Sequence, residues 1–97
     1  MTNYISLLQF TDKGIRNIQD SPKRAAASKA LARKMGVKLT GIYWTLGPYD
    51  IVLVAEAPND ETMTAFSLSL ASLGNVKTQT MRAFRSSEFE GILKKMR

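Results

Sequence analysis

The residues predict an α+β domain: a four-stranded antiparallel sheet, two helices on one of its faces, and a further helix at the C-terminus. Three observations carry that prediction. Leu46-Gly47-Pro48-Tyr49-Asp50 is a turn wedged between two strongly apolar runs; Pro48 pre-sets a turn and Gly47 supplies backbone freedom, so a hairpin is the natural reading. Two longer segments carry apolar residues at helical spacing, each opened by helix-start signals and closed by a glycine. The chain has 97 residues, with no linker, repeat or low-complexity stretch, so these elements form one domain over residues 1–97.

Taken in order, Tyr4 to Phe10 reads as a first strand, ended by the turn chemistry of Thr11-Asp12-Lys13-Gly14. Ile15 to Gln19 suits a short helical turn. Ser21-Pro22 opens the first long helix, with Ser21 as N-cap and Pro22 at the first helical position. Ala27, Ala30, Leu31 and Met35 mark its apolar side, and Gly36 stops it. Lys38 to Leu46 and Asp50 to Ala57 are the second and third strands. Pro58-Asn59-Asp60-Glu61 starts the second helix with acids where the helix dipole favours them. Met63, Phe66, Leu70 and Leu73 form its stripe, and Gly74 ends it. Val76 to Phe84 is a fourth strand, polar along much of its length. Ser87-Glu88-Phe89-Glu90 reads as a capping box, with Ser87 and Glu90 as its reciprocal pair. Phe89, Ile92, Leu93 and Met96 then give a last helix an apolar face that must dock on its own subunit or on a neighbour, and Lys94, Lys95 and Arg97 close it.

This order is the ferredoxin-like βαββαβ pattern with an added helix. In such a sheet the face away from the helices is commonly wet and polar. Here it is not. The third strand sends Ile51, Leu53 and Ala55 to one face and Val52 and Val54 to the other. The second sends Ile42, Trp44 and Leu46 one way and Tyr43 and Thr45 the other. A monomer would expose an apolar patch above the roughly 300–600 Å² usual for soluble proteins. A second sheet packed face to face about 10 Å away resolves this, so a homodimer through the sheet face is expected, with a higher assembly left open. A chain this short buries only roughly 60–70% of its unfolded surface, which an extra subunit interface helps to offset.

Composition narrows the chemistry. There is no Cys and no His, which removes thiol and Ser-His nucleophiles, thiol redox, structural zinc and His-ligated haem. Carboxylates are scattered rather than paired, so no metal site is assigned and no cofactor is implied. Without disulfides, a signal peptide or a long apolar stretch, a cytoplasmic protein that spans no membrane is expected. Net charge is +6, and eight of the 14 basic residues lie between Lys13 and Lys38, opposed there only by Asp20. That skew marks either an anionic partner or a solvated helix face. RNA-recognition domains share the topology, but they carry exposed aromatics on the third strand; here it is aliphatic, which speaks against nucleic acid.

Candidate site residues follow from type and place. Tyr49 and Asp50 put a phenol and a carboxylate beside the hairpin turn of Gly47 and Pro48, able to bind a polar group or move a proton, or simply to cap the turn and pack over its edge. Arg16, Arg24 and Arg82 offer forks for carboxylate or phosphate. Arg82 interrupts a neutral strand and has Asp12 or Asp50 as internal partners to choose from. Thr80 and Tyr43 are supporting hydroxyls. Trp44, Met63 and Phe66 line either a pocket between sheet and helices or the core. Glu56 near a strand end is a general base or a solvated carboxylate.

The stretches Tyr4 to Leu7, Thr11 to Ile18 and Ser21 to Arg24, then Gly47-Pro48-Tyr49-Asp50, Glu56 to Glu61 and Leu73 to Phe84 together resemble the GYD domain family, whose G-x-Y-D signature falls on Gly47–Asp50. The resemblance covers nearly the whole chain. It implies a ferredoxin-like dimeric α+β barrel and no established activity; relatives by fold include small monooxygenases and ligand-sensing domains, and fold is not function. Where members of that family carry Glu, this chain has Gln79; were that Glu a catalytic base, this chain would have lost it. The expected function is therefore binding of a small apolar or weakly acidic molecule between helices and sheet. The alternatives are a cofactor-independent oxygenase or isomerase using Tyr49, Asp50 or Arg82, and a structural or interaction module docking through its last helix.

Overall fold

A computed structural model describes residues 1–97. Strand β1 (Thr2–Phe10) leads into a short helix α1 (Asp12–Arg16), a 3-10 turn over Ile18–Asp20, and the long helix α2 (Ser21–Lys34). Strands β2 (Lys38–Trp44) and β3 (Ile51–Ala57) form the hairpin, followed by α3 (Asp60–Ser72), β4 (Val76–Ala83) and α4 (Ser86–Leu93). The strands lie in the order β2-β3-β1-β4, antiparallel throughout. This is the expected βαββαβ order with one more helix. The short α1 replaces the expected turn, because the Thr11 hydroxyl accepts the Gly14 N–H at 3.1 Å and caps it.

Period-two alternation decides which residues meet the helices. On β3, Ile51, Leu53, Ala55 and Ala57 are buried while Val52, Val54 and Glu56 between them stay half-buried. On β1, Tyr4, Ser6 and Leu8 face the helices. From α3, Met63, Phe66 and Leu70 descend on them at helical spacing, Phe66 being fully buried. Burying three such side chains is worth roughly 1.5–3 kcal/mol each, which fixes α3 to the sheet. Helices cover only this face, and the shortest extent of the backbone is 18 Å, the thickness of two layers. The polar character of β4 has its use here. Thr80 sits opposite Ser6 in the register, and a chain of hydroxyl contacts runs from Ser6 to Thr80 at 2.8 Å and from Thr80 to Ser67 of α3 at 3.0 Å.

Glycine is required where α1 meets the loop before β4. A Cβ on Gly14 would stand 2.1 Å from the Asn75 carbonyl oxygen, and the Thr11 backbone N–H already donates to that oxygen. Gly47 holds φ at +125°, a backbone conformation that strains any side chain.

Several expectations need correction. Ser21 is not the N-cap: it is the first residue of α2, and no side chain caps that end. No full capping box forms before α4: the N-cap is Arg85, two residues earlier than expected, whose backbone N–H donates to Glu88 at 3.0 Å while its side chain, which has no acceptor, gives nothing back; Ser87 and Glu90 play no part. Glu88 also accepts from Asn3 on β1 at 3.1 Å, and that long-range bond selects it over Glu90. Leu46 lies past the end of β2, fully exposed in the turn. Ala30 is exposed and Leu73, 58% exposed, stays at the rim of the apolar interior, whereas Ala32 is the buried alanine of α2. Because α4 ends at Leu93, Lys94, Lys95 and Arg97 follow the helix rather than close its last turn.

Candidate functional site

The phase of α2 leaves a gap beneath it. From α2 the cavity is lined by Ser21, Arg24, Ala25, Ala27, Ser28 and Leu31, and all but Leu31 are small or polar side chains that cannot fill the space to the sheet. Opposite stand Ile42 of β2, Leu53 of β3 and Leu8 of β1, with Leu70 of α3 and Val76 of β4 closing the far side. The result is a cavity of about 290 Å³ in which 11 of 15 lining residues are hydrophobic. That is close to the lower bound of roughly 300 Å³ for pockets that hold small organic ligands.

Four polar side chains line this cavity; Ser28 donates its proton to the Arg24 carbonyl at 2.9 Å and keeps only acceptor capacity, while the other three have donors left over. Ser21 is buried, at 5% exposure. Its Oγ accepts the indole N–H of Trp44 at 2.9 Å, which leaves its own proton to donate. Arg24 is half-buried; Nη1 donates to the Asn17 carbonyl at 2.8 Å and Nη2 to the Gly14 carbonyl at 3.4 Å. A guanidinium carries five donors, so three remain, and its charge has no carboxylate partner. The chain's one ion pair is Arg85 to Glu56, at 2.9 Å. The carboxamide of Asn75, in the loop after α3, makes no hydrogen bond, only its backbone carbonyl being engaged.

The hairpin turn is consumed by the architecture. Asp50 Oδ2 accepts the Phe10 backbone N–H at 2.8 Å, while the Asp50 N–H donates to the Leu8 carbonyl at 2.8 Å and its carbonyl accepts from Thr45 at 2.9 Å. Gln9 donates to the Pro48 carbonyl at 2.9 Å. The Tyr49 hydroxyl reaches across β1 to donate to Gln79 of β4 at 3.0 Å. The turn thereby clamps the hairpin onto both of the other strands.

Of the residues singled out from sequence, only Arg24 lines the cavity. Tyr43 is exposed on the opposite face of the sheet, beside Gly41. Arg16 is exposed on α1. Arg82 pairs with neither Asp12 nor Asp50; its guanidinium lies 4.4 Å from the centre of the Phe84 ring, an exposed cation–π contact. It also stands three residues along β4 from Gln79 and on the other face, about 10 Å away by the rise of a strand. Tyr49, Asp50 and Arg82 are therefore not brought together. Glu56 is neither solvated nor free, being tied to Arg85. Met63 and Phe66 are core, and Trp44 backs the cavity wall through Ser21. Ser21 and Asn75 were missed as lining residues; the helical spacing of Ser21, Arg24 and Ser28 was the available signal.

Tyr4 and Glu88, both beyond the cavity, are shifted from their usual values. Burial of Tyr4 and its hydrogen bond to the Asp60 carboxylate push its phenol upward. The Arg85 backbone N–H, with Asn3 and the nearby guanidinium groups of Arg82 and Arg85, holds Glu88 below its usual value.

The sheet face away from the helices carries Ile5, Leu7, Val52 and Val54, flanked by Tyr43 and Met81 at 59% and 46% exposure. Beside it α4 projects with Phe89 at 51% exposure, and Met96, beyond the end of the helix, is 72% exposed. Its root is held to the sheet through polar contacts, Asn3 to Glu88 and Arg85 to Glu56. No helix is long and apolar enough to cross a membrane.

Comparison with known proteins agrees with this architecture. The family model described as the GYD domain matches residues 4–93. A protein of Thermus thermophilus named the glutamine synthetase and cystathionine beta-lyase binding protein is 37% identical over 95 residues, covering 97% of this chain and 100% of that one. The crystal structure of TTHA0845, also from Thermus thermophilus, superimposes with a TM-score of 0.59 at 22% identity, covering 89% of this chain and 96% of that chain; it supports the fold alone. With the sheet order, the Gly47–Asp50 turn and the family match in agreement, the chain belongs to the GYD domain family.

Proposed function

We propose that this protein is a cytoplasmic homodimer, joined through the apolar face of its sheet, that holds a small apolar or weakly acidic molecule in the cavity beneath α2. The observation that carries the reading is the cavity itself: apolar walls with a few convergent polar groups are what small-molecule sites are made of. Its lining contains no carboxylate, phenol or amine, so it offers binding rather than proton transfer. The dimer uses the other face of the sheet and leaves the cavity mouth clear. Two sheets packed face to face would cover Ile5, Leu7, Val52 and Val54 in both copies at once. Native mass spectrometry of protein purified gently from cells tests both halves. The expected species is two chains with one small molecule per chain; a bare single chain would remove the reading.

A second reading, binding of partner proteins, draws on a different observation. The apolar side of α4 is uncovered within one chain, and the relative from Thermus thermophilus is named for binding two enzymes. Truncation after Phe84 should then abolish capture of a partner protein and spare the dimer. Loss of the dimer on truncation would instead assign α4 to the subunit interface.

A further inference from the structure

We propose that the ligand of the cavity beneath α2 is a small apolar carboxylic acid, bound as its carboxylate with the head group against Arg24 and Ser21. This rests on the reading of the cavity as a ligand site and adds the chemical class. The argument begins with charge. Arg24 is half-buried at an apolar cavity, and the groups it touches, the Asn17 and Gly14 carbonyls, are neutral. Carbonyls satisfy its hydrogens but leave a full positive charge uncompensated where water is partly excluded, a costly arrangement unless an anion completes it. No Asp or Glu lines the cavity.

The second element is donor geometry. Ser21, nine-tenths buried or more, accepts from Trp44 and keeps its own proton, which it can donate toward the cavity. Three free guanidinium hydrogens, the Ser21 hydroxyl and the two Asn75 amide hydrogens outnumber the acceptors of this wall, the Asn75 side-chain carbonyl and the Ser28 oxygen, so the wall is donor-rich. Such a wall selects an acceptor-only head group, and a guanidinium fork matches a carboxylate in particular. One cation favours a singly charged head over a phosphate dianion.

Size sets the remainder. A cavity of ~150 Å³ takes benzene; this one, at about 290 Å³, takes roughly twice as many atoms, on the order of a dozen non-hydrogen atoms. The other walls (Leu8, Leu31, Ile42, Leu53 and Leu70) offer only hydrocarbon. Decanoate has the right bulk and charge.

The test uses the sole tryptophan. Trp44 is bonded to Ser21 on the cavity wall, so its fluorescence should report ligand entry, with calorimetry as an independent readout. Decanoate, 1-decanol and decylammonium are titrated into the intact protein. The acid should bind about ten- to 100-fold more tightly than the alcohol, the value of a charge-assisted pair, and the ammonium should bind weakest. Arg24→Gln should erase the preference of acid over alcohol while leaving alcohol binding intact, and Ala25→Phe, which fills the space, should abolish both. Equal binding of acid and alcohol by the unmodified protein, or tighter binding of the ammonium, overturns the assignment to carboxylic acids while the cavity site stands. So does an Arg24→Gln protein that keeps the preference. Binding of none of the three, by either readout, removes the cavity site itself. The comparison within the unmodified protein decides the matter even where Arg24→Gln, which also releases two backbone carbonyls, fails to fold.

Discussion

Val54→Asp is the most discriminating perturbation of the sheet-face dimer. Val54 lies on β3 with Ile5 of β1 on one side and Gly41 of β2 on the other, in the middle of the uncovered face. In a single chain it is half-buried and away from the core cluster, so the variant should fold. A symmetric interface contains it twice. Because Val54 is already half-buried in one chain, the interface buries only its remainder, at most about half of the roughly 1.5–3 kcal/mol of a full burial, so two copies cost about 1.5–3 kcal/mol before any penalty for desolvating the new carboxylates. At ~1.4 kcal/mol per tenfold, the dissociation constant should rise at least about ten- to 100-fold. Sedimentation equilibrium across a wide concentration range reads this directly, with circular dichroism confirming that the monomer keeps its fold. Leu68→Asp, equally apolar to acidic but on the exposed side of α3, should leave the dimer unchanged. A Val54→Asp protein that dimerises like the unmodified chain would refute the reasoning, and so would an unmodified chain that is monomeric throughout.

Three further outcomes follow from side chains already placed. Asp50→Ala strands the Phe10 N–H and should cost about 1.5–3 kcal/mol in urea unfolding, the value of a hydrogen bond to a charged group, whereas Asp50→Asn keeps an acceptor and should cost less. Glu88 is held below its usual value, so its contribution is present above about pH 4.3 and is lost as pH falls through its lower folded-state value; helical circular dichroism should show that acid-side loss, and Glu88→Gln should remove it. Tyr4 is shifted the other way: its contribution is full below about pH 10 and is lost as pH rises through its raised folded-state value, so the urea midpoint of Tyr4→Phe should depend less on pH in that range.

What the sequence made legible was whatever repeats along the chain. Ile51, Leu53 and Ala55 separate from Val52 and Val54 by period two alone, and the fold sorts them onto the two faces accordingly. Met63, Phe66 and Leu70 were equally readable at helical spacing. What escaped was decided by partners far off in sequence. Ser21 carries every local mark of an N-cap, yet a tryptophan 23 residues away claims its oxygen. Glu88 and Glu90 compete for the start of α4, and Asn3, 85 residues from Glu88, settles the choice. Arg82 looked poised for a carboxylate, but strand parity aims it to the helix side, level with Tyr4 and apart from Asp50.

The same distinction separates residues that build the fold from residues free to act. A side chain whose donors and acceptors are all engaged internally must break those bonds before it can serve a ligand, and each break costs about what the bond contributes. Asp50 is close to that position, with one carboxylate oxygen held by Phe10 and its backbone groups by Leu8 and Thr45. Tyr49, with its hydroxyl on Gln79, is nearly so. The signature turn is thus the hinge pin of the sheet, and its prominence in the sequence follows from the closeness of the strands it joins. Arg24 and Asn75 carry no such prominence, yet they hold uncommitted donors beside apolar space. Binding is cheapest there, because the donors a ligand needs are already in place and no internal bond has to be given up first.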